Sequence, residues 1–388
     1  MKRLRVGVIY GGRSSEHEVS LASAAAVLTQ LDPKQYEVIP ICIQQDGRWS
    51  LADKPPSALS EIELSARANS PALSSNKSGE SREVHFLAYP AESQIMTIHS
   101  DSERTHEGIR AFVSELCLDI VFPVVHGPFG EDGTLQGLLE LANVPYVGTG
   151  VLGSAVAMDK AVAKILFASN DLPTVKHLVV RAGRWNTARN AVLEEISNLL
   201  TYPLFVKPAN LGSSIGISKA ADRPQLEQAI EIARQFDLKV LVEEAVPDAR
   251  ELEIAVLGNE EPEVSAPGEV LPTGEFYDYE SKYLDDRTDY VIPAKLTSKQ
   301  TSTLQAMAIE AFQVVEASGM ARVDFLMAQE TERFYLNEVN TIPGFTAVSM
   351  YAKLWQASGL GYPELLDRLI NLALERHKEK QLLRTSLT

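Results

Sequence analysis

The chain of 388 residues reads as an α/β protein of several domains that opens on a parallel sheet. Three observations carry that reading. Leu4–Tyr10 is an unbroken apolar run that stops at Gly11-Gly12, and a helical stretch and a second apolar run follow it. Strand, glycine turn, helix, strand is how open α/β sheets begin. Strands and helices then alternate again after residue 170, and the chain is long enough for two or three domains. Finally, Ala321–Gly344 reads as two apolar strands joined by a polar turn, with charged residues set among the apolar ones.

Each element has a local reason. A helix is expected from Glu16 to about Leu31, with Ser15 and Glu18 placed as a capping box. Tyr36–Ile43 is the second strand and Asp119–Val125 the third. Between them, about Ser50–Arg110 breaks the rhythm with the polar run S-P-A-L-S-S-N-K-S-G-E-S-R, expected to loop over the surface. Gly133–Ala142 is a short helix, and V-P-Y-V-G-T-G closes the first domain, 1-148. A central unit, 149-246, holds a helix at Asp159–Ser169, strands at Leu178–Val180, Leu204–Lys207 and Val240–Glu244, and a helix at Arg223–Phe236. The last unit, 247-388, holds the strand Arg250–Gly258, a helix at Ser298–Val315, the hairpin and a terminal helix.

Composition narrows the function. Hydrophobic residues at 45% and charged residues at 23% are those of a soluble globular protein. The formal net charge of −16, with no basic stretch to offset it, argues against a nucleic-acid partner. Cys42 and Cys117 are the only cysteines, which fits a reducing cytoplasm rather than a disulfide framework. The start, M-K-R-L-R-V-G-V-I-Y, has too short an apolar run for a signal peptide, and no segment is apolar for long enough to cross a bilayer.

The hairpin carries the chemistry. Alternation puts Arg322 and Asp324 on one face, and Glu338 and Asn340 on one face. A hairpin symmetric about Thr331 sets Asp324 opposite Glu338 and Arg322 opposite Asn340. Two carboxylates about 4 Å apart repel by roughly 4 kcal/mol at an effective dielectric of 20, so either one is protonated or a cation sits between them. Carboxylates with an amide oxygen and few other ligands suit Mg²⁺ that also holds phosphates. The expectation is a magnesium–nucleotide site with Arg322 set for developing negative charge. The alternative is an exposed hairpin whose polar face meets water.

Other groups admit two readings each. In K-P-A-N-L-G-S-S-I-G, Lys207 ends a strand, and Asn210–Gly216 offers small residues and backbone N–H groups that suit phosphates. It lacks the Gly-Lys-Ser/Thr ending of a P-loop, and a plain surface turn is the alternative. Leu241–Val246 ends in Glu243-Glu244, a strand edge able to meet adenine or simply solvent. Glu251 could accept ribose hydroxyls. Lys160 starts a helix, as a phosphate contact or a solvated lysine. His126 ends a core strand, where α/β sheets place ligands, and a structural histidine fits equally. Glu16 could anchor an ammonium group or merely complement a helix dipole. Phe276–Leu284, with Lys282 and Tyr283, suits a lid or a surface loop. Val6–Ser15 lacks G-x-G-x-x-G, which disfavours a nicotinamide dehydrogenase.

In their order, G-G-R-S-S-E-H-E-V-S, H-G-P-F-G-E-D-G-T-L-Q-G, M-D-K, the Lys207 loop, Y-D-Y-E-S-K-Y, R-V-D-F and N-E-V-N-T-I-P-G resemble the D-alanine–D-alanine ligases of the ATP-grasp superfamily. The resemblance spans the chain except about 50–110. It implies a three-domain ATP-grasp architecture with a Rossmann-like, open parallel N-terminal sheet. It also implies joining of two D-alanines through an acyl phosphate, in a cytoplasmic homodimer without a membrane partner. D-Serine or D-lactate as second substrate, and a nucleotide-binding regulator without turnover, are the alternatives. Asp324, Glu338 and Asn340 would hold two Mg²⁺ or Mn²⁺ ions. Lys160 and Lys207 would meet the ATP phosphates, and Glu243, Glu244, Val246 and Glu251 the adenosine. Glu244 stands where relatives often carry lysine. Glu16 would bind the first ammonium, with His126 near that substrate's carboxylate. Ser213 and Tyr283 would link loop to lid, while Lys282, Ser349 and Met350 would bind the second D-alanine. Arg322 and the N–H of Gly344 would stabilise the oxyanion. The intact Lys282-Tyr283 pair favours an amine nucleophile.

Overall fold

Strands of the first sheet come from both sides of the polar stretch that interrupts the opening α/β rhythm. The coordinates, a computed structural model, describe residues 2–52, 56, 82–90, 95–105, 108–271, 289–346 and 349–384. β1 (Leu4–Gly11) leads through α1 (His17–Gln30) to β2 (Tyr36–Ile43). Then come β3 (Trp49–Leu51), β4 (Glu83–Phe86), β5 (Ile95–Thr105), β6 (Gly108–Glu115) and β7 (Ile120–Pro123). Their order is β6-β5-β4-β3-β2-β1-β7.

Three sequence expectations are corrected here. Only β2, β1 and β7 run parallel; β3 to β6 pair antiparallel, so the sheet is mixed. The stretch expected to loop over the surface therefore supplies strands at its flanks, while residues 57–81 within it lie outside the described residues. Val84 and Ile95 are buried in this sheet's core, and that burial holds the added strands in place. The capping box at Ser15 does not form. Glu16 is the N-cap residue of α1, without a side-chain cap bond, because its carboxylate is engaged elsewhere.

After β7 come α2 (Thr134–Leu141), α3 (Val151–Met158) and α4 (Lys160–Ser169), the last capped by Asp159 accepting from the N–H groups of Ala161 and Val162. A second sheet follows. It holds β8 (His177–Arg181), β9 (Leu204–Pro208), β10 (Ser218–Ala220) and β11 (Lys239–Glu244), in the order β10-β9-β11-β8, all antiparallel. Alternation splits its faces. Leu204, Val206, Val240 and Val242 pack against α5 (Ala182–Leu199) and α6 (Arg223–Ala233). Phe205, Lys207, Leu241 and Glu243 take the opposite face, where Leu241 packs on Ala161 of α4.

The third sheet holds β12 (Ala249–Gly258), β13 (Glu263–Val264), β14 (Gly268–Leu271), β15 (Asp289–Val291), β16 (Gly319–Ala328) and β17 (Phe334–Asn340). Its path is β15-β14-β12-β16-β17, with β13 on β12. α7 (Ser298–Val314), started by a complete capping box of Thr297 and Gln300, packs with α3 and α4 on one face. α8 (Met350–Ala357) and α9 (Tyr362–Gln381) join the other face to the first sheet, where Phe122, Phe345, Tyr351 and Leu366 share one core. None of the described helices is long and apolar enough to cross a membrane.

Candidate functional site

A cleft of about 620 Å³ separates the second and third sheets, a size suited to a small-molecule ligand. Its floor is the hairpin. β16 and β17 pair so that Asp324 lies opposite Glu338 and Arg322 opposite Asn340, the register the sequence symmetry predicts. Beyond Asp324 the register shifts by one, because Asn337 is an extra residue on β17. On the other side of β16, Glu253 of β12 is the register partner of Asp324. Three carboxylates thus lie in a row across three strands.

Such a row needs positive charge, and Arg322 provides it. Its Nε and Nη2 donate to the two oxygens of Asp324 at 2.7 Å each, and Nε lies 3.2 Å from Glu253 Oε2. Burial works against the guanidinium charge, but Asp324, Glu253 and then Glu338 hold its pKa well above the ordinary value. Glu338 faces Lys160 at 3.3 Å, and Lys160 also donates to Leu211 O at 2.9 Å. Asn340 Oδ1 accepts from Ile342 N–H at 3.1 Å and keeps a lone pair for another partner.

The cleft roof is the Lys207 face of the second sheet. Lys207 and Glu243 sit diagonally on β9 and β11 and form an ion pair. Lys207 also donates to Asn337 Oδ1 at 3.3 Å, bridging roof and floor. The other oxygen of Glu243 lies 2.8 Å from Nζ of Lys164, a fully buried lysine on α4. Burial alone would raise the Glu243 pKa, but Lys164 and Lys207 overcome it and bring it down to about 2. Glu244 points elsewhere: its carboxylate accepts Thr201 N–H at 2.9 Å. Val246 and Glu251 line the same cleft as Glu243.

The start of α1 meets the cleft through Ser213. Glu16, 4% exposed, accepts the hydroxyl of Ser213 from the Gly212–Gly216 loop. Ser213 and Ser214 both adopt left-handed backbone, at φ +50° and +56°, a conformation that costs about 1–2 kcal/mol per non-glycine residue. The neighbouring Glu131, its carboxylate accepting Gly127 N–H at 2.6 Å, is pushed well above the usual carboxylate range by burial and by Glu16. His126 spends both ring nitrogens on the protein. A carbonyl only accepts, so Nδ1–H donates to Ile342 O at 3.1 Å, and Nε2 takes the Ser23 hydroxyl at 2.9 Å. Ser349 Oγ receives Thr346 N–H at 3.0 Å, beside Gly344, and is the N-cap residue of α8. The Met350 side chain is buried in the core beside Gly268, so only its backbone N–H in the first turn of α8 is placed for a ligand. Lys282 and Tyr283 lie outside the described residues.

Sequence reading passed over Lys164, Glu131, Glu253 and Asn337. Glu253 had a usable signal: Glu251-Leu-Glu253 sets acids at alternate places in an apolar strand, the pattern that singled out Asp324. Lys164 follows Lys160 by one helical turn and looks, in sequence, like a solvated face.

The donor chemistry fits a hard cation. Among the described residues no three His, Cys, Asp or Glu side chains are arranged to hold a metal unaided. One or two carboxylates plus ligand phosphates is the way Mg²⁺ is bound, and Asp324, Glu338 and Asn340 offer that partial set.

Comparison with known proteins gives a consistent result. Profiles described as "D-ala D-ala ligase N-terminus" and "D-ala D-ala ligase C-terminus" match residues 5–149 and 166–371. A D-alanine–D-alanine ligase of Geobacillus thermodenitrificans is 45% identical over 381 residues, 98% of each chain. The structure of the D-alanine-D-alanine ligase from Coxiella burnetii superposes with a TM-score of 0.78 at 34% identity, covering 98% of this chain and 97% of that one. VanG D-Ala:D-Ser ligase from Enterococcus faecalis gives 0.76 at 33% identity, covering 96% of this chain and 100% of that one.

Proposed function

The chain belongs to the D-alanine–D-alanine ligase family, and from that premise we propose how its residues carry out the ATP-dependent joining of two D-alanines for peptidoglycan synthesis. The supporting observation is Arg322, paired with Glu253 and Asp324 and opposite Asn340 on β17, beside a cleft that Asp324, Glu338, Lys160 and Lys207 line together. Binding a nucleotide alone does not call for a guanidinium beside those carboxylates.

In this reading the ATP-grasp halves, 149-246 and 247-388, close on ATP, and the Rossmann-like unit 1-148 binds the first D-alanine. The adenosine lies against Glu243, Glu244, Val246 and Glu251, with Glu244 contributing backbone. Lys160 and Lys207 hold the phosphates. Mg²⁺ or Mn²⁺ ions at Asp324, Glu338 and Asn340 would neutralise phosphate charge. Glu16 takes the ammonium of the first D-alanine, whose carboxylate attacks the γ-phosphate to give an acyl phosphate and ADP. Positioning and charge neutralisation are the main contributions to such a step. His126 is neutral and fixes Ser23 and the Ile342 carbonyl beside that substrate. Ser349, the Met350 N–H and Lys282 hold the second carboxylate. The amine attacks the acyl carbon, Arg322 and Gly344 N–H stabilise the oxyanion, and phosphate leaves. Ser213 and Tyr283 join loop to lid, which keeps water from the acyl phosphate. We place the enzyme in the cytoplasm as a homodimer.

A phosphate-release assay with ATP, Mg²⁺ and single or paired D-alanine, D-serine and D-lactate tests the reading. D-Alanine alone is expected to support turnover. Release that requires added D-serine or D-lactate would make this a ligase of the mixed kind, and no release at all would leave only nucleotide binding.

A further inference from the structure

We propose that Lys164 is a positioning residue for ATP: it is the standing counter-ion of Glu243, which lets Lys207 leave that carboxylate for the phosphates. The proposal rests on the ligase reading of the cleft and deepens it.

Glu243 is 3% exposed and meets two lysines from different elements, Lys164 of α4 on Oε1 and Lys207 of β9 on Oε2. Their positions differ. Lys207 lines the cleft and already reaches across it to Asn337. Lys164 is fully buried and does not line the cleft. Only one of the two cations can therefore answer to an incoming phosphate.

A buried carboxylate is costly when left unpaired, and removing one member of a buried pair is far worse than removing both. With Lys164 absent, Lys207 would be the only cation on Glu243, and its transfer to ATP would strand that charge in the protein. With Lys164 in place, Glu243 remains neutralised while Lys207 moves. The surplus positive charge of the trio is then the charge offered to the triphosphate. α4 supplies this device at one-turn spacing: Lys160 faces Glu338 directly, and Lys164 acts one layer further in, through Glu243. Burial lowers the Lys164 pKa and Glu243 opposes the fall, so the pairing supports both charges.

The test is initial-rate kinetics on the full-length chain, wild type alongside variants. Lys164→Met is expected to raise the KM for ATP by about ten-fold or more, with the KM for D-alanine within about two-fold of wild type. Lys164→Arg restores most of the ATP affinity, because it restores the charge. In a Glu243→Gln background, which sets its own reference for adenosine binding, adding Lys164→Met leaves the KM for ATP within about two-fold, because no carboxylate is stranded. This double variant also keeps the test open if the single variant unfolds, since the charge it leaves without a carboxylate, that of Lys207, lines the cleft rather than the closed interior. An unchanged KM for ATP in Lys164→Met, or an equal rise when Lys164→Met is added to Glu243→Gln, overturns the proposal. Wild-type protein that fails to turn over ATP with D-alanine refutes the ligase reading instead.

Discussion

His126 has its imidazole closed in by Ser23 on one side and the Ile342 carbonyl on the other. Burial is the main reason its pKa falls from 6.5 to about 4, and nearby Arg322 adds to the effect, while the bond to Ile342 works against it. The sign follows directly. A folded-state pKa below the unfolded one means the fold prefers the neutral ring, so its stability is fully present above about pH 6.5. It is lost as pH falls toward 4, at about 1.36 kcal/mol per unit, roughly 3 kcal/mol in all. Thermal unfolding followed between pH 7 and 4.5 should therefore drop more steeply for the wild type than for His126→Gln, which cannot take up the proton. Parallel curves would mean that this ring is not the buried neutral group described. The same residue shows where sequence reading stops. A histidine ending a core strand is equally a ligand or a strut until its two nitrogens have named partners.

At the scale of elements, the loop between β7 and α2 fixes how Glu16 is presented. Gly127 has φ +76°, and a Cβ there would run into Glu16 Oε2. Gly127→Ala must therefore displace the carboxylate as well as strain the backbone by about 1–2 kcal/mol. The expected outcome is a KM for D-alanine raised by about ten-fold, with the KM for ATP little changed because the phosphate lysines lie on other elements. Equal loss for both substrates would point to general disruption of the loop. Elements were readable where one period dominated. The charged pairs at the open end of the β16–β17 hairpin could be registered from alternation and symmetry about Thr331, because slipping by one residue turns every charge to the apolar face; the extra Asn337 nearer the turn could not. α5 was not anticipated. Its first turns, A-G-R-W-N-T-A-R-N, put only Trp185 into the core, and the buried positions that would show helical spacing, Val192, Leu193 and Ile196, come late. β3 to β6 were hidden for another reason: each is short or polar, and the link that joins them to the sheet, β3 with β4, spans the Ser-rich stretch.

For the whole molecule, the question is what joins the unit that holds Glu16 to the unit that holds Arg322. Part of the answer is apolar, the shared core of α1, β7, α8 and α9. Part is one side chain. Arg376 of α9 donates to Gly148 O, to Ser318 Oγ at 2.5 Å and to Tyr146 O at 3.0 Å, and its guanidinium lies 4.7 Å from the centre of the Tyr146 ring. It thus ties the end of the first domain to the start of β16, the strand that carries Arg322 and Asp324. Neutral acceptors solvate this cation, and burial lowers its pKa despite Tyr146 and Glu140. Arg376→Ala leaves two backbone carbonyls without their donor in a closed interface, and hydrogen bonds to charged groups are worth about 1.5–3 kcal/mol each. A loss of roughly 3 kcal/mol in stability is the conservative expectation, read as a lower midpoint in thermal unfolding. At temperatures where the variant remains folded, KM values for ATP and D-alanine should both stay near wild type, because Arg376 touches neither substrate. The kcat should fall instead, since in the proposed mechanism Glu16 and Arg322 serve the same acyl phosphate from opposite sides of this seam, and reacting groups lose rate steeply when misplaced by as little as about 1 Å. A variant that melts earlier yet keeps full kcat would show that the apolar core alone holds the two units in register.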